Sequence, residues 1–297
     1  MPALVCGHLR YQRIPYRGFI LCLFMSVFTV SHSYAQLRMS GGQVNTCGQT
    51  FTDSGGERSD YSNDEGEITT SIYPENITKI FDAHGGIDAW NNMKSLSFTL
   101  ERSNGKEVTI TDLKTRVERI DAPTYTLGYD GNNYWVNEKD GNAYTGNAKF
   151  YKGLMMYFYA MPFIVSDDGV IYEDAKPLEF EGKTYPGILI SYESGIGVSP
   201  DDQYIIYYDA ETGKMEWLGY TVTFGKDAKS TDFRFIRYNN WQELNGLVLP
   251  KSIDWYKYEN GIPTEKRNTV EFVDVKVAEA APEASLFAKP ETAKVIE

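Results

Sequence analysis

From residue 96 onward the chain is a succession of short runs in which apolar and polar residues alternate, separated by two-residue turns with little between them. Leu96, Phe98 and Leu100 alternate with Ser and Thr, and Val108 and Ile110 alternate with Thr. Tyr125, Leu127 and Tyr129 run into Asp130-Gly131, and residues 134–136 into Asp140-Gly141. Phe180 precedes Glu181-Gly182, after which Ile188, Ile190 and Tyr192 alternate, and residues 204–208 end at Glu211-Thr212-Gly213. Leu218, Tyr220, Val222 and Phe224 follow, then residues 233–238, 247–249, 253–258 and 270–277. Side chains of a strand point alternately to its two faces, so a period of two is a half-buried strand. Asn245-Gly246 and Asn260-Gly261 are tight-hairpin signals, because both residues accept positive φ. Strands joined by turns, without helices between them, predict an antiparallel meander and exclude the parallel α/β folds. The 22 Tyr, 15 Phe and 5 Trp suit such surfaces, apolar on the ring and, for Tyr and Trp, polar at one edge.

Two stretches depart from this rhythm. Ile77, Ile80, Phe81 and His84 fall at i, i+3, i+4 and i+7, one face of a helix that Gly85-Gly86 stops, and Ile87, Trp90 and Met93 continue in a second short helix. His84 is read as a packed residue at the end of an apolar face, in preference to a catalytic base. Residues 150–163 are the most apolar stretch after the leader described below, of a length that fits one helix ended by Pro162. A helix apolar nearly all round must be covered or must face a cavity. It is either a plug closing one end of a sheet or a lid over an apolar ligand, and methionines and aromatics suit a pocket for lipid chains. The cavity lining is expected to include Phe150, Leu154, Tyr157, Phe158 and Met161, with Trp135 and Trp217 from the strands.

The first 35 residues read as a signal peptide: Arg10, Arg13 and Arg17 precede an apolar run at 19–30, and Ser33-Tyr34-Ala35 places cleavage before Gln36. Cys22 lies inside the apolar run, not after it, so no lipid anchor is expected, and no later segment reads as a membrane span. The protein is therefore expected to be exported, periplasmic or secreted. The leader holds three of the 29 basic residues and none of the 41 acidic ones, so the mature chain is more acidic than the whole, whose formal net charge is −12. Such a charge repels nucleic acid and anionic membrane surfaces on average. Cys6 and Cys22 leave with the signal, and Cys47, alone, forms no internal disulfide.

Residues 36–72 form a polar arm rich in Gly, Ser, Asp, Asn and Thr. Within it, the run from Cys47-Gly48-Gln49-Thr50-Phe51 through Thr52-Asp53-Ser54-Gly55-Gly56, followed by Asp60-Tyr61-Ser62-Asn63, resembles the opening of a bacterial CUB domain. That resemblance implies a protein- or sugar-binding β-sandwich. It covers only this segment, and the second cysteine of the pattern is absent, the chain reading Ser71-Ile72-Tyr73-Pro74.

The usual catalytic parts are missing. With one histidine and one cysteine left after the leader, neither a His/Cys zinc site nor a triad independent of His84 can be assembled. There is no G-x-S-x-G, no P-loop and no G-x-G-x-x-G after a strand. Carboxylates remain: Asp64-Glu65, Asp167-Asp168 and Asp201-Asp202 are adjacent pairs, more often turn formers than catalytic acids. The expectation is a non-enzyme without cofactor or metal.

The body of the chain, 73–297, carries a second resemblance over about 76–277. Its residues are Ala83-His84-Gly85-Gly86 with Trp90; Tyr129-Asp130-Gly131 with Trp135; Phe158-Tyr159-Ala160-Met161-Pro162-Phe163; and Asn245-Gly246-Leu247-Val248-Leu249-Pro250 followed by Trp255-Tyr256. In this order they resemble a family of Bacteroidota envelope proteins that is itself similar to the lipoprotein-carrier superfamily of LolA, LolB and their mycobacterial relatives. The resemblance implies a mainly β (α+β) fold, a strongly curved antiparallel sheet forming an incomplete barrel with helices on its concave face. It also implies a binding function, with lipid or lipoprotein acyl chains as ligand and an envelope protein as a further partner. No basic rim or head-group site is recognisable in the sequence. Two rival readings stand beside it, a protein- or glycan-binding module and a carboxylate hydrolase.

Overall fold

The computed structural model describes residues 72–193, 201–223 and 230–296. The leader, the polar arm with its CUB-like segment, Cys47 and Phe224 lie outside the described residues. The described chain opens with α1 (Glu75–Ala83) and α2 (Ile87–Asn92) and continues through β1 (Ser95–Arg102), β2 (Gly105–Asp112), β3 (Glu118–Asp121), β4 (Tyr125–Tyr129) and β5 (Tyr134–Glu138). A helical interruption follows: α3 (Ala148–Tyr151), α4 (Leu154–Tyr159) and a 3₁₀ turn (Phe163–Ser166). The meander resumes with β6 (Val170–Phe180), β7 (Lys183–Tyr192), β8 (Tyr204–Tyr208), β9 (Met215–Tyr220), β10 (Arg234–Leu244), β11 (Leu247–Glu259), β12 (Ile262–Glu271) and β13 (Val273–Ala278), and ends with a short β14 (Lys294–Ile296).

The strands form two seven-stranded antiparallel sheets, ordered β13-β1-β2-β3-β4-β5-β14 and β12-β11-β10-β9-β8-β7-β6. Neither closes into a barrel, and the mainly antiparallel β architecture is the one the alternation predicts. The alternating run at 270–277 reads as one strand, yet it serves both sheets. It leaves the second sheet as β12 and enters the first as β13 across the single residue Phe272. Phe272 is buried, its N–H donates to Lys251 O at 2.9 Å, and its ring meets those of Phe98 and Tyr159 at 5.2 and 4.7 Å. Asp274 just beyond adopts φ +53°, and the β1–β13 ladder slips between Ser97 and Thr99. A strand that switches sheets through a bend or bulge makes a corner.

One core fills the space between the sheets. Leu96, Phe98 and Leu100 of β1, Ile188 and Ile190 of β7, and Leu218 and Ile236 of β9 and β10 meet Ile77, Ile80 and Phe81 of α1 and Phe158 of α4. The other face of the second sheet carries its own cluster, Leu178, Phe180, Tyr185, Tyr207, Trp217 and Phe235. This sheet is therefore buried on both faces along its middle.

The expected hairpins form. Asn245 and Gly246 have φ +51° and +80°, Asn260 and Gly261 +53° and +75°. The first of these turns also receives the end of α1. Val248 N–H donates to His84 O at 2.8 Å, and a Cβ on Gly85 (φ +105°) would collide with the Gly246 carbonyl oxygen. Among the described residues no helix is long and apolar enough to cross a membrane.

Candidate ligand cavity

The segment joining the two sheets is a broken helix, not the single helix its apolar length predicts. The Asn147 side chain accepts from Phe150 N–H at 3.0 Å and starts α3, and Ala148 seats that helix on Ile120, Leu127 and Val136 of the first sheet. Tyr151 fixes it from the other end, its hydroxyl donating to buried Glu107 at 2.6 Å and accepting from Arg102 at 2.8 Å. The helix then breaks. Lys152 is extended (φ −59°, ψ 126°) and Gly153 is left-handed (φ +81°), a conformation glycine adopts without steric cost. The released Gly153 N–H donates at 2.6 Å to Oε1 of Glu118, a fully buried carboxylate whose other oxygen accepts from Thr111 Oγ1 at 2.8 Å. After α4 the chain is tied to the second sheet by Tyr238, whose hydroxyl donates to Phe158 O at 2.8 Å. It then turns through a cis Met161–Pro162 bond into the core.

This break leaves a cavity of about 340 Å³ between α3–α4 and the two sheets. Its apolar wall is Phe150, Leu154, Met156, Tyr157, Phe158 and Ile164; its polar wall is Arg116, Tyr134, Lys149, Lys152, Asp167, Asp168, Tyr192, Asp202 and Tyr204, with the Gly153 backbone between them.

Four of the sequence-derived candidates, Phe150, Leu154, Tyr157 and Phe158, stand on this wall, and three do not. Met161 lies beyond the end of α4, where the chain descends, and is fully buried in the main core. Trp135 is fully buried on the opposite face of β5, over Gly128, with its indole N–H donating to Phe287 O at 3.3 Å. Its neighbour Tyr134 lines the cavity instead. Trp217 is fully buried among Phe180 and Tyr256 on the outer face of the second sheet, ring centroids 4.7 and 4.8 Å away. Both tryptophan corrections are matters of strand parity, since a shift of one residue exchanges the faces.

The polar wall is organised by charge. Lys149 and Lys152 flank a pair of tyrosines: Lys149 Nζ lies 5.9 Å from the Tyr134 ring, Lys152 Nζ 4.9 Å from the Tyr129 ring, and the two rings are 4.6 Å apart. Burial pushes the Lys152 ammonium down and the Glu118 carboxyl up, and each is countered by the charge of the other. Arg116 grips Asp167 with two hydrogen bonds of 2.7 and 2.9 Å. Burial raises the Asp167 carboxyl, and this guanidinium opposes the rise. Elsewhere on the wall the Tyr157 and Tyr192 hydroxyls touch, and the Tyr204 ring lies 5.2 Å from that of Tyr157. Desolvation raises the Tyr192 and Tyr204 phenols, so both are neutral donors at physiological pH. Asp202 accepts from the N–H and the hydroxyl of Thr223 at 2.6 and 2.7 Å.

Sequence reasoning picked out Asp167, Asp168 and Asp202 only as members of adjacent acid pairs and missed the cations of this wall, Arg116, Lys149 and Lys152. The available signal was Lys149 and Lys152, two cations bracketing Phe150 within the most apolar part of the body of the chain. His84 is not on the wall: it is fully buried, its Nδ1–H donates to Ile80 O at 2.8 Å, and burial lowers it to about 4. Its ring packs on Trp241 at 4.6 Å, the packed role expected of it. Among the described residues no group of three or more His, Cys, Asp or Glu is arranged to hold a metal ion.

No protein-family model and no curated protein matches the chain. Solved structures similar to it include a LolA superfamily protein from Nitrosomonas europaea, at 9% identity over 74% of this chain and 99% of that one, with a TM-score of 0.43. A DUF1329 family protein from Desulfovibrio piger matches at 11% identity over 72% and 98%, with a TM-score of 0.42. The lipoprotein LppX of Mycobacterium tuberculosis matches at 10% identity over 51% and 88%, with a TM-score of 0.24. At these scores the likeness is limited to the general run of the chain, and the chemistry of the cavity decides what it can hold.

Proposed function

We propose that the domain at 73–297 is a non-catalytic binding protein of the cell envelope that holds one medium-length acyl or alkyl chain beneath α3–α4. The observation that carries this reading is the cavity wall of Phe150, Leu154, Met156, Tyr157, Phe158 and Ile164. The leader-like residues 1–35 support export, and residues 36–72 are a separate arm in this reading. At ~30 Å³ per small group, the share of a molecule in liquid water, the cavity accepts roughly ten chain carbons. Removing that many methylenes from water contributes about 8 kcal/mol. Association costs at least about 4 kcal/mol, so burial of the chain alone leaves about 4 kcal/mol, a dissociation constant of about a millimolar at best.

A carboxylate hydrolase is disfavoured by the partners of its candidate acids, Asp167 being held by Arg116 and Asp202 by Thr223. Native mass spectrometry of the mature protein from its own envelope, with organic extraction, tests the binding reading. A lipid or acylated molecule at defined stoichiometry is expected. Uptake of a dansyl-labelled undecanoic acid is expected to fall at least about tenfold in Leu154→Asp, because a carboxylate on the apolar wall faces the chain. An empty protein that also takes up no probe would remove the reading.

A further inference from the structure

The apolar wall is silent about the ligand's polar end, but the charged wall is not. Lys149 is the least exposed of the cavity's cations, at 6% of its full surface. Among the described residues its ammonium makes no ion pair and no hydrogen bond, only the approach to the Tyr134 ring. Lys152 is in the same position over Tyr129, and the carboxylate that faces it, Glu118, is committed to Gly153 N–H and Thr111. Arg116 is already matched by Asp167. Asp167 holds Arg116 and Glu118 faces Lys152, whereas Lys149 makes an ion pair with none of the acids of the wall, Asp168 and Asp202 included. The burial of Lys149 is that of its stem, and its unpaired ammonium stands on the cavity lining, where an anion can reach it.

We infer that Lys149 and Lys152 form a head-group subsite for an anion, so that the ligand of the cavity is an anionic amphiphile with a carboxylate or phosphate monoester head. This rests on the binding function proposed above and names its ligand class. The head sits between the two ammonium groups at the Tyr129–Tyr134 end, and the chain runs along Phe150 and Leu154 towards Phe158 and Ile164. Asp168 and Asp202, also on the wall, disfavour an anion beside them and so fix the direction in which the ligand lies.

Calorimetry with probes that share a ten-carbon chain tests this on the unmodified protein. Decanoate and decyl phosphate are expected to bind at least about tenfold more tightly than decanol, and decylamine more weakly than decanol, as charge-assisted hydrogen bonds require. In Lys149→Met, and separately in Lys152→Gln, the ratio of decanoate to decanol affinity is expected to fall towards one. Decanol binding as tightly as decanoate in the unmodified protein would overturn the head-group subsite while leaving a chain-binding cavity. Inorganic phosphate binding as tightly as decyl phosphate would overturn the amphiphile in favour of a free anion. Failure of all the ten-carbon probes would overturn the binding function itself.

Discussion

Among the places in this domain that set a cation over aromatic rings, two are built to different ends. On the outer face of the second sheet the Arg237 guanidinium lies 5.4 Å from the Phe180 ring and 5.2 Å from that of Trp217, with Glu181 at 3.7 Å. The Arg237 side chain is partly exposed and already faces Glu181, while Trp217 beneath it is fully buried against Phe180 and Tyr256. Lys149 and Lys152 also lie against rings, Tyr134 and Tyr129, but they face a cavity of about 340 Å³. The same contact is thus structural in one place and available to a ligand in the other. What separates them is the space in front of the charge and whether a carboxylate already occupies it.

The comparison can be broken by mutation. The largest effect belongs to the sealed site: Trp217→Ala removes a fully buried indole and is expected to cost about 3–5 kcal/mol in denaturant unfolding, leaving decanoate affinity within about twofold. A ligand effect as large as the stability effect would show that the two sites are coupled. Next is His84, sealed in the main core and lowered to about 4 from its ordinary 6.5. The unfolded chain takes up its proton below 6.5 and the folded one does not. Stability is therefore lost as pH falls from 6.5 to about 4, by about 3 kcal/mol in all. In His84→Phe this part of the pH dependence of unfolding is expected to disappear, and an unchanged pH profile would contradict the buried, neutral imidazole. The smallest effects carry opposite signs. Arg237→Met gives up stacking on two rings and the Glu181 charge, and is expected to lower stability by about 1 kcal/mol. Lys149→Met removes an ammonium that makes no ion pair while keeping its apolar stem, and is expected to raise stability by a few tenths of a kcal/mol. Equal signs would mean that Lys149 has a counter-charge after all.

Much of the fold could be read from local pattern, because strand and turn chemistry are local. The Asn-Gly hairpins and the α1 stripe ended by Gly85 depend on residues a few positions apart. What escaped depends on partners far along the chain. Trp135 and Trp217 were assigned to the cavity because they are large and lie in strands, yet which face of a strand looks inward is set by register with its neighbours. The break at Lys152-Gly153 is held by Glu118, more than thirty positions earlier, and nothing local to the apolar segment reveals that acceptor. The corner at Phe272 is hidden inside an alternating run that continues on both sides of it. The cations of the wall escaped for a different reason: lysine is ordinarily assigned to solvent, and an isolated sequence gives no measure of how deeply a stem is drawn in.

The shared strand at the corner also sets the order in which the domain can be completed. β1 begins at Ser95, and its outer neighbour β13 pairs it through Ala278, Val277 and Lys276. Residues nearly two hundred positions apart must meet before the edge of the first sheet is covered, a slow closure for any chain. Until then β1 presents an unpaired row of amides and carbonyls, with Leu96, Phe98 and Leu100 bare behind it. A nascent chain in this condition remains an open template for wrong pairings until β13 has emerged.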